Sequence, residues 1–321
     1  MQKNDVFQLK QKKIPLLAVV GPTAVGKTAL AVKLAQRLDG EIVSADSVQV
    51  YRYLNIGTAK PSPAEQEGIA HHLIDIVDPS VNFTVYDYQR MARDCISEIN
   101  KRDKLPILSG GTGLYFKAVV DQYVFSSGKS NPEIRKRLKE EYHSRGKDYL
   151  YQLLKKCDPV AAQKIHPNDQ RRMIRALEFF YLTGEPISSQ QELTIKKNSP
   201  YNLVVIGLTM KRNYLYQRIN DRIEQMLKKG LLEEVKSLLQ KGYHGGLKSM
   251  QSLGYKHIIQ YLKGEWDFET TITLFKRDTR RYAKRQLTWF QADKRVKWLE
   301  VDPFMDINSI LNNICLKIEG Y

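Results

Sequence analysis

The sequence has few cysteines and no long apolar run. Cys95, Cys157 and Cys315 are the only cysteines among its 321 residues, and their wide spacing argues against both a disulfide framework and a structural zinc site. No stretch of 18 apolar residues occurs, and the Lys- and Gln-rich N-terminus lacks the apolar centre of a signal peptide. We therefore expect a cytoplasmic protein that does not insert into a membrane.

Acidic residues are also scarce relative to basic ones. Asp and Glu number 35 against 51 Lys and Arg, which gives a formal net charge of +16. This excess favours a polyanionic partner, above all a nucleic acid, over the alternative of a basic surface kept for solubility. The length and the 42% of hydrophobic residues suffice for a sizeable core in two lobes, which excludes a disordered or fibrous protein.

Apolar runs followed by glycine or polar residues predict the strands of a parallel sheet. The candidates are residues 14–20, 41–45, 105–108, 201–209 and 296–301. Between residues 125 and 200 the pattern changes to charged helical segments without a strong strand candidate. We predict an α/β protein in which residues 1–125 and 201–321 form the catalytic core and residues 126–200 form a smaller helical insertion domain that contacts the partner.

A glycine-rich loop follows the first predicted strand and opens a helix. Its eight residues, Gly21, Pro22, Thr23, Ala24, Val25, Gly26, Lys27 and Thr28, fit G-x-x-x-x-G-K-[ST]. In such a P-loop the backbone N–H groups face phosphate oxygens, Lys27 adds a positive charge, and the Thr28 hydroxyl is placed to hold Mg²⁺. The alternative is a glycine turn with an ordinary surface lysine. A nucleotide such as ATP is the usual ligand, but any pyrophosphate fits the loop, and the context predicts a P-loop NTPase-like sheet with flanking helices.

Two further groups of polar residues follow predicted strands. Asp46 begins the segment Asp46-Ser47-Val48-Gln49, and the glycine loop 110–113 carries Thr112. Because the carboxyl ends of parallel strands share one edge, we expect both groups to lie beside the P-loop. Asp46 is a candidate metal ligand or general base, and the alternative is a turn or helix-capping aspartate.

A basic segment lies near the C-terminus. Residues 276–297 hold nine basic residues against two acidic ones. On a helix these cations would form a track for a phosphate backbone, and the alternative is a solvated face. Phe275, Tyr282 and Trp289 recur every seven residues, which favours a packed face over a base-stacking platform.

Six segments in this order resemble bacterial tRNA dimethylallyltransferases. They read GPTAVGKT, DSVQVYR, GGTGLY, DQRRMIRALE, LGYK and TRRYAKRQLTWF, and the resemblance runs from about residue 16 to 300. It implies transfer of a dimethylallyl group from dimethylallyl diphosphate to the exocyclic amine of the adenosine next to the anticodon, with release of diphosphate. The sequence departs from the family's pattern at residues 126–131, where an acidic residue would precede Pro132-Glu133-x-Arg135.

The resemblance also implies a site, with Mg²⁺ as cofactor and with dimethylallyl diphosphate and the anticodon stem-loop of tRNA as partners. Asp46, Thr112 and Lys27 are the implied catalytic residues, and residues 21–28 with Arg222 hold the diphosphate, although Arg222 alone would read as a surface arginine. Thr28 is the metal ligand. The residues implied to contact tRNA are Asp46, Ser47, Val48, Gln49, Thr112, Arg135, Gln170, Arg171, Arg172, Met173, Ile174, Arg175, Arg280, Arg281, Lys284 and Arg285.

Three rival functions remain at this point. A P-loop small-molecule kinase explains the first glycine loop but leaves the basic C-terminal segment without a task. A non-catalytic RNA-binding module explains the charge but not an aspartate beside a phosphate loop. An adenylate isopentenyltransferase acting on a free nucleotide is the nearest rival, and the basic residues at 171–175 and 276–297 argue against it.

Overall fold

The chain divides into two compact units in a computed structural model. The model describes residues 13–121, 123, 131–189, 199–302, 311, 312 and 314. The first unit comprises Met1–Val120 with Pro200–Tyr321, and the second comprises Asp121–Ser199. Cys315 and residues 126–130, to which two of the observations above refer, lie outside the described residues.

The first unit is built on a sheet of six parallel strands. The strands are β1 (Ile14–Val20), β2 (Gly40–Ser44), β3 (His71–His72), β4 (Leu105–Gly110), β5 (Tyr201–Thr209) and β6 (Val296–Glu300), in the spatial order β3-β2-β4-β1-β5-β6. The predicted α/β class is confirmed. The two-residue strand β3 escaped prediction because it is too short to show a hydrophobic period.

Helices flank the sheet and build the second unit. In chain order they are α1 (Lys27–Arg37), α2 (Pro63–Gln66), α3 (Val85–Lys101), α4 (Gly113–Val120), α5 (Pro132–Arg145), α6 (Lys147–Cys157), α7 (Pro159–Lys164), α8 (Gln170–Thr183), α9 (Arg212–Lys228), α10 (Leu231–Gln240), α11 (Tyr255–Leu262) and α12 (Phe268–Gln291). Helices α5 to α8 belong to the second unit. Within the described residues, no helix is both long and apolar enough to cross a membrane.

The central strands are buried because helices cover both faces of the sheet. Ala18 and Val19 of β1 are fully buried, as are Ile107 and Leu108 of β4. Burial of each side chain the size of valine or leucine contributes about 1.5–3 kcal/mol to the free energy of folding. The second unit has a separate apolar core, formed by residues of α5, α6, α7 and α8.

The register of the strands brings three loops to one edge. Val20 at the end of β1 pairs with Gly110 of β4 and Gly207 of β5, and Ser44 of β2 pairs with Ser109. The segments that follow β1, β2 and β4 therefore emerge side by side at the carboxyl edge of the sheet, where open parallel sheets bind ligands.

Candidate active site

The P-loop leaves β1 at Gly21 and enters α1 after Gly26. Gly21 has φ 144°, and a Cβ there would lie 2.5 Å from the carbonyl oxygen of Leu208, so only glycine fits. Gly26 precedes the helix with φ 107°. The Lys27 Nζ donates to the Pro22 carbonyl oxygen at 2.7 Å, which holds the ammonium over the loop.

Two cations meet at this loop without a carboxylate partner. The Arg222 Nη1 of α9 donates to the Thr23 hydroxyl at 3.3 Å, and burial lowers the pKa of Arg222 against the opposing influence of Asp46 and Glu65. Burial, then the charge of Arg222, lowers the pKa of Lys27 to about 7, although Asp46 opposes the shift. Neither cation forms a salt bridge within the described part of the chain. Two half-buried like charges held at one loop favour an incoming anion.

Within the described residues, one carboxylate oxygen of Asp46 accepts hydrogen bonds and the other accepts none. Its Oδ1 accepts the backbone N–H groups of Val48 at 2.8 Å and Gln49 at 3.2 Å. Oδ1 of Asp46 thus has the turn-stabilising role that the sequence offered as the alternative to a metal ligand or general base. Among the described residues, Oδ2 accepts no hydrogen bond. The turn therefore fixes the carboxylate while leaving an oxygen for chemistry.

The second glycine loop is bonded to the Asp46 turn. The Thr112 N–H donates to the Ala45 carbonyl oxygen at 3.1 Å, and the Thr112 hydroxyl accepts the Ser47 N–H at 3.1 Å. Tyr282 of α12 belongs to the same region, although the sequence did not place it in the site. Burial and then Asp46 raise the pKa of Tyr282 to about 12, opposed by Thr112, Arg285 and Gln286.

Gln286 joins the two glycine loops, and sequence reasoning missed it. Its Oε1 accepts the Thr23 N–H at 2.8 Å, and its Nε2 donates to the Gly111 carbonyl oxygen at 2.9 Å. A Cβ on Gly111 would lie 2.2 Å from that Nε2, so a larger residue at this position would displace the Gln286 amide from the loop. A single buried glutamine in a basic helix carries no sequence signal.

A cavity of about 980 Å³ opens beside the P-loop, lined in part by Lys27, Thr28, Arg218 and Arg222. The Thr28 hydroxyl has no hydrogen-bond partner among the described residues. The described residues also hold no group of three or more His, Cys, Asp or Glu side chains suited to a metal ion. Thr28 with the oxygens of a diphosphate and water fits Mg²⁺, which keeps several waters and binds through substrate phosphates.

The predicted RNA-binding residues of α12 differ in exposure. Arg281, Lys284 and Arg285 are exposed, and Arg281 approaches Asp278 at 3.9 Å. Arg280 is half-buried, and its Nη1 donates to the Asn220 side chain at 3.4 Å. The exposed three are therefore better placed than Arg280 to meet a phosphate backbone.

The prediction of a packed aromatic face on α12 is wrong at the C-terminal end of the helix. Phe275 is buried, but Trp289 is 36% exposed, with the Lys117 ammonium 5.5 Å from its ring centroid. An α-helix turns every 3.6 residues, so a seven-residue spacing drifts around the helix over its length. The buried residues of α12 are instead Thr271, Phe275, Ala283, Gln286 and Phe290.

In the second unit, α8 presents arginines and buries its apolar residues. Arg171 and Arg172 are exposed, and Gln170 at the start of the helix is half-buried. Met173 is fully buried and Ile174 is 6% exposed. Both side chains pack in the core of the unit, so a contact of these two residues with tRNA would run through their backbone, and their role in tRNA binding stays a prediction.

Arg135 and Arg175 share a buried partner. The Glu178 carboxylate is fully buried and accepts the Arg135 Nε at 2.8 Å and the Arg175 Nη1 at 3.0 Å. It also accepts the Asn131 N–H at 2.9 Å. The two guanidinium groups, each about two-fifths exposed, are held at the surface of this unit.

The chain is similar over most of its length to proteins that prenylate tRNA. A family model described as IPP transferase matches residues 49–293. A tRNA dimethylallyltransferase of Carboxydothermus hydrogenoformans is 53% identical over 285 residues, covering 89% of this chain and 91% of the relative. One from Alkaliphilus metalliredigens is 50% identical and covers 96% and 98%.

The chain is also similar to solved structures of tRNA-modifying transferases. A tRNA isopentenylpyrophosphate transferase of Bacillus halodurans is 47% identical with a TM-score of 0.71, covering 96% of this chain and 98% of that one. A eukaryotic dimethylallyltransferase acting on tRNA is 32% identical with a TM-score of 0.77, covering 89% and 73%.

Proposed function

The chain belongs to the IPP transferase family, and from that membership we propose that it transfers a dimethylallyl group from dimethylallyl diphosphate to tRNA. The acceptor is the exocyclic amine of the adenosine adjacent to the anticodon, and diphosphate is released. The observation that carries the proposal is the meeting of Lys27, Arg222 and Asp46 at one sheet edge, where two unpaired cations adjoin a carboxylate with a free oxygen.

The crevice residues suit the departure of diphosphate. In the transfer the bond between the allylic carbon and the bridging oxygen breaks, and negative charge develops on that oxygen. The backbone N–H groups of the P-loop, Lys27 and Arg222 lie where they would stabilise this charge. Thr28 would hold Mg²⁺, which when bound neutralises charge on the phosphate oxygens.

Asp46 suits the proton that the reaction releases. As the amine nitrogen bonds to the allylic carbon it becomes acidic, and its proton must leave. The free Oδ2 of Asp46 would accept it late in the transition state, so placement matters more than a shifted basicity. Thr112 bonds to the turn that follows Asp46, and Tyr282 is affected by the charge of Asp46, so both would orient the base or the diphosphate.

A large polyanionic acceptor accounts for the exposed cations. Arg281, Lys284 and Arg285 of α12, with Arg171 and Arg172 of α8, offer contacts to a phosphate backbone that a free nucleotide or a small kinase substrate would not use. A stacked base cannot enter a crevice, so the target adenosine must be turned out of its loop.

Incubation of the protein with Mg²⁺, labelled dimethylallyl diphosphate and bulk tRNA tests the proposal. We expect label in the RNA and release of diphosphate. Parallel reactions with AMP, ADP or ATP as acceptor test the adenylate isopentenyltransferase, and ATP turnover with small acceptors tests the kinase. Label confined to a free nucleotide would replace the tRNA proposal with the first of these rivals.

A further inference from the structure

The segment LGYK singled out in the sequence has no role in the site described so far. Its Tyr255 begins α11 and is fully buried. The Tyr255 hydroxyl donates to the Glu234 Oε1 of α10 at 2.6 Å. The pair lies against residues 54–60, which we call loop 54–60.

Glu234 binds loop 54–60 through its backbone. Its Oε2 accepts the N–H groups of Asn55 at 3.1 Å and Ile56 at 2.9 Å, and its Oε1 accepts the Gly57 N–H at 3.3 Å. With Tyr255, four donors occupy the carboxylate, which offers about four acceptor positions. Glu234 is thus saturated by a loop and a tyrosine rather than by a cation.

The packing between Tyr255 and the loop is close. A Cβ on Gly57 would lie 2.5 Å from the Tyr255 Cε2 and 3.0 Å from the Leu231 Cδ1, so this point of the loop accepts only glycine. The ring and the carboxylate together fix the loop backbone on this side.

The loop is also held from the Asp46 turn. The Gln49 Nε2 donates to the carbonyl oxygens of Thr58 and Ala59, each at 3.2 Å. The Lys60 Nζ donates to the Tyr51 carbonyl oxygen at 2.9 Å, to the Asn55 side chain and to Asp75. Gln49 belongs to the segment that begins with Asp46, so the loop and the acid turn brace each other.

The same loop is a wall of the cavity beside the P-loop. Asn55, Ile56, Ala59 and Lys60 line that cavity together with Lys27, Thr28 and Arg222. A change in the loop would therefore alter both the cavity that receives the diphosphate and the support of Gln49 near Asp46.

We propose that Glu234 and Tyr255 are positioning residues for the transfer reaction, holding loop 54–60 in the conformation that walls the diphosphate cavity and braces Gln49. This inference rests on the proposed function. Neither side chain lines the cavity, so both act through the loop. Misplacement of a reacting group by about 1 Å, even from a distant change, costs about 100-fold in rate.

Glu234→Gln tests the proposal with nearly unchanged volume. It replaces one carboxylate oxygen by an NH₂ group, which would face N–H or O–H donors and leave at least one bond unmade. Tyr255→Phe removes a single hydroxyl and keeps the ring against Gly57. Glu233→Gln is the matched control, because Glu233 is the exposed neighbour on the same helix.

Five measurements separate positioning from plain stability. They are Tm, the amide hydrogen exchange of loop 54–60, the affinity for inorganic diphosphate with Mg²⁺, the affinity for tRNA, and the kinetic constants kcat and KM for dimethylallyl diphosphate with tRNA. For Glu234→Gln we expect faster exchange, about tenfold weaker diphosphate binding and turnover lower by about 10- to 100-fold, with tRNA affinity within about twofold. Tyr255→Phe should shift the same quantities less, and Glu233→Gln should match the wild type.

Unchanged diphosphate affinity and turnover in a folded Glu234→Gln or Tyr255→Phe protein would overturn the inference, as would a fall in Tm alone. If Glu234→Gln does not fold, Tyr255→Phe decides. Failure of the wild type to label tRNA would overturn the proposed function instead, and the diphosphate affinities and exchange rates would still decide the role of Glu234.

Discussion

The cations of the crevice and those of helix α12 lie in the same compact unit but in opposite surroundings. Burial lowers the pKa of both Lys27 and Arg222. Lys284 is exposed to solvent, and the Arg281 side chain is 64% exposed. A buried charge costs free energy until a counter-charge arrives, whereas an exposed charge costs little and is screened by salt.

This difference in exposure indicates that the crevice cations and the α12 cations have different functions, although all are positively charged. The crevice suits one small anion in a fixed place, because binding of that anion offsets the free-energy cost of its two cations. The α12 cations suit an extended polyanion whose phosphates are held by many weak contacts. Chemistry should therefore depend on the first set and tRNA affinity on the second.

Removal of Lys27 should give the largest effect. Lys27→Ala deletes the main side-chain charge on the departing diphosphate, so we expect transfer to fall by about 100- to 1,000-fold or more. Affinity for tRNA should stay near that of the wild type. Single-turnover transfer and filter binding measure the two quantities, and Lys33→Ala on the same helix is the control. Normal transfer by Lys27→Ala would remove the P-loop from the mechanism.

Asp46→Asn should give the second largest loss of activity. The amide keeps the Oδ1 contacts to the turn but loses the basic oxygen, so we expect turnover lower by about 100-fold with both substrates still bound. Turnover at saturating substrates measures this directly. Should the variant turn over normally, Asp46 is a turn residue alone.

The pKa of Lys27 gives a pH dependence with a definite sign. Because that pKa is about 7 in the free protein, Lys27 loses its proton as the pH rises above 7, and Lys27 must then take up a proton from solvent when a diphosphate binds. Affinity for dimethylallyl diphosphate should fall by up to about tenfold per pH unit above 7. Calorimetry between pH 6.5 and 9 measures it.

Lys27→Arg is the control for this profile, since its guanidinium keeps its charge over the whole range. Its affinity should lack the decline above pH 7. Identical pH profiles for the two proteins would mean that Lys27 does not titrate in this range.

The strands and the P-loop could be predicted because their signals are local. Strands β1 and β5 begin and end at the predicted residues, since apolar residues make up most of β1 and the stretch of β5 from Leu203 to Leu208. The carboxyl-edge rule also placed Thr112 near Asp46, and the Ser47 N–H does bond to the Thr112 hydroxyl. A parallel sheet makes neighbours of strand ends however far apart they are in the chain.

Gln286 and Glu234 could not be predicted because most of their partners are backbone groups. Gln286 bonds to Thr23 and Gly111, which are 263 and 175 residues away, and Glu234 bonds to N–H groups nearly 180 residues away. Every residue except proline carries a backbone N–H, so no side-chain pattern announces such a contact. Gln286 and Glu234, which escaped sequence reasoning, both support loops of the site.

The smallest expected effect is on tRNA affinity. Arg281→Ala combined with Lys284→Ala should weaken binding of all substrate tRNAs alike, because phosphate contacts carry no sequence information. Turnover at saturating tRNA should barely change. Lys101→Ala with Lys236→Ala, which removes the same charge from other helices, is the control.

The dependence of tRNA affinity on salt tests most directly whether the two sets of cations differ in task. Affinity would be measured over a salt series for the wild type, for Lys27→Ala and for the Arg281→Ala, Lys284→Ala double variant. We expect the wild type and Lys27→Ala to share one slope of log affinity against log salt, and the double variant to be shallower by about 0.7 to 0.9 per lost phosphate contact. One slope for all three proteins would contradict the account, because the α12 cations would then be a solvated face without a part in holding RNA.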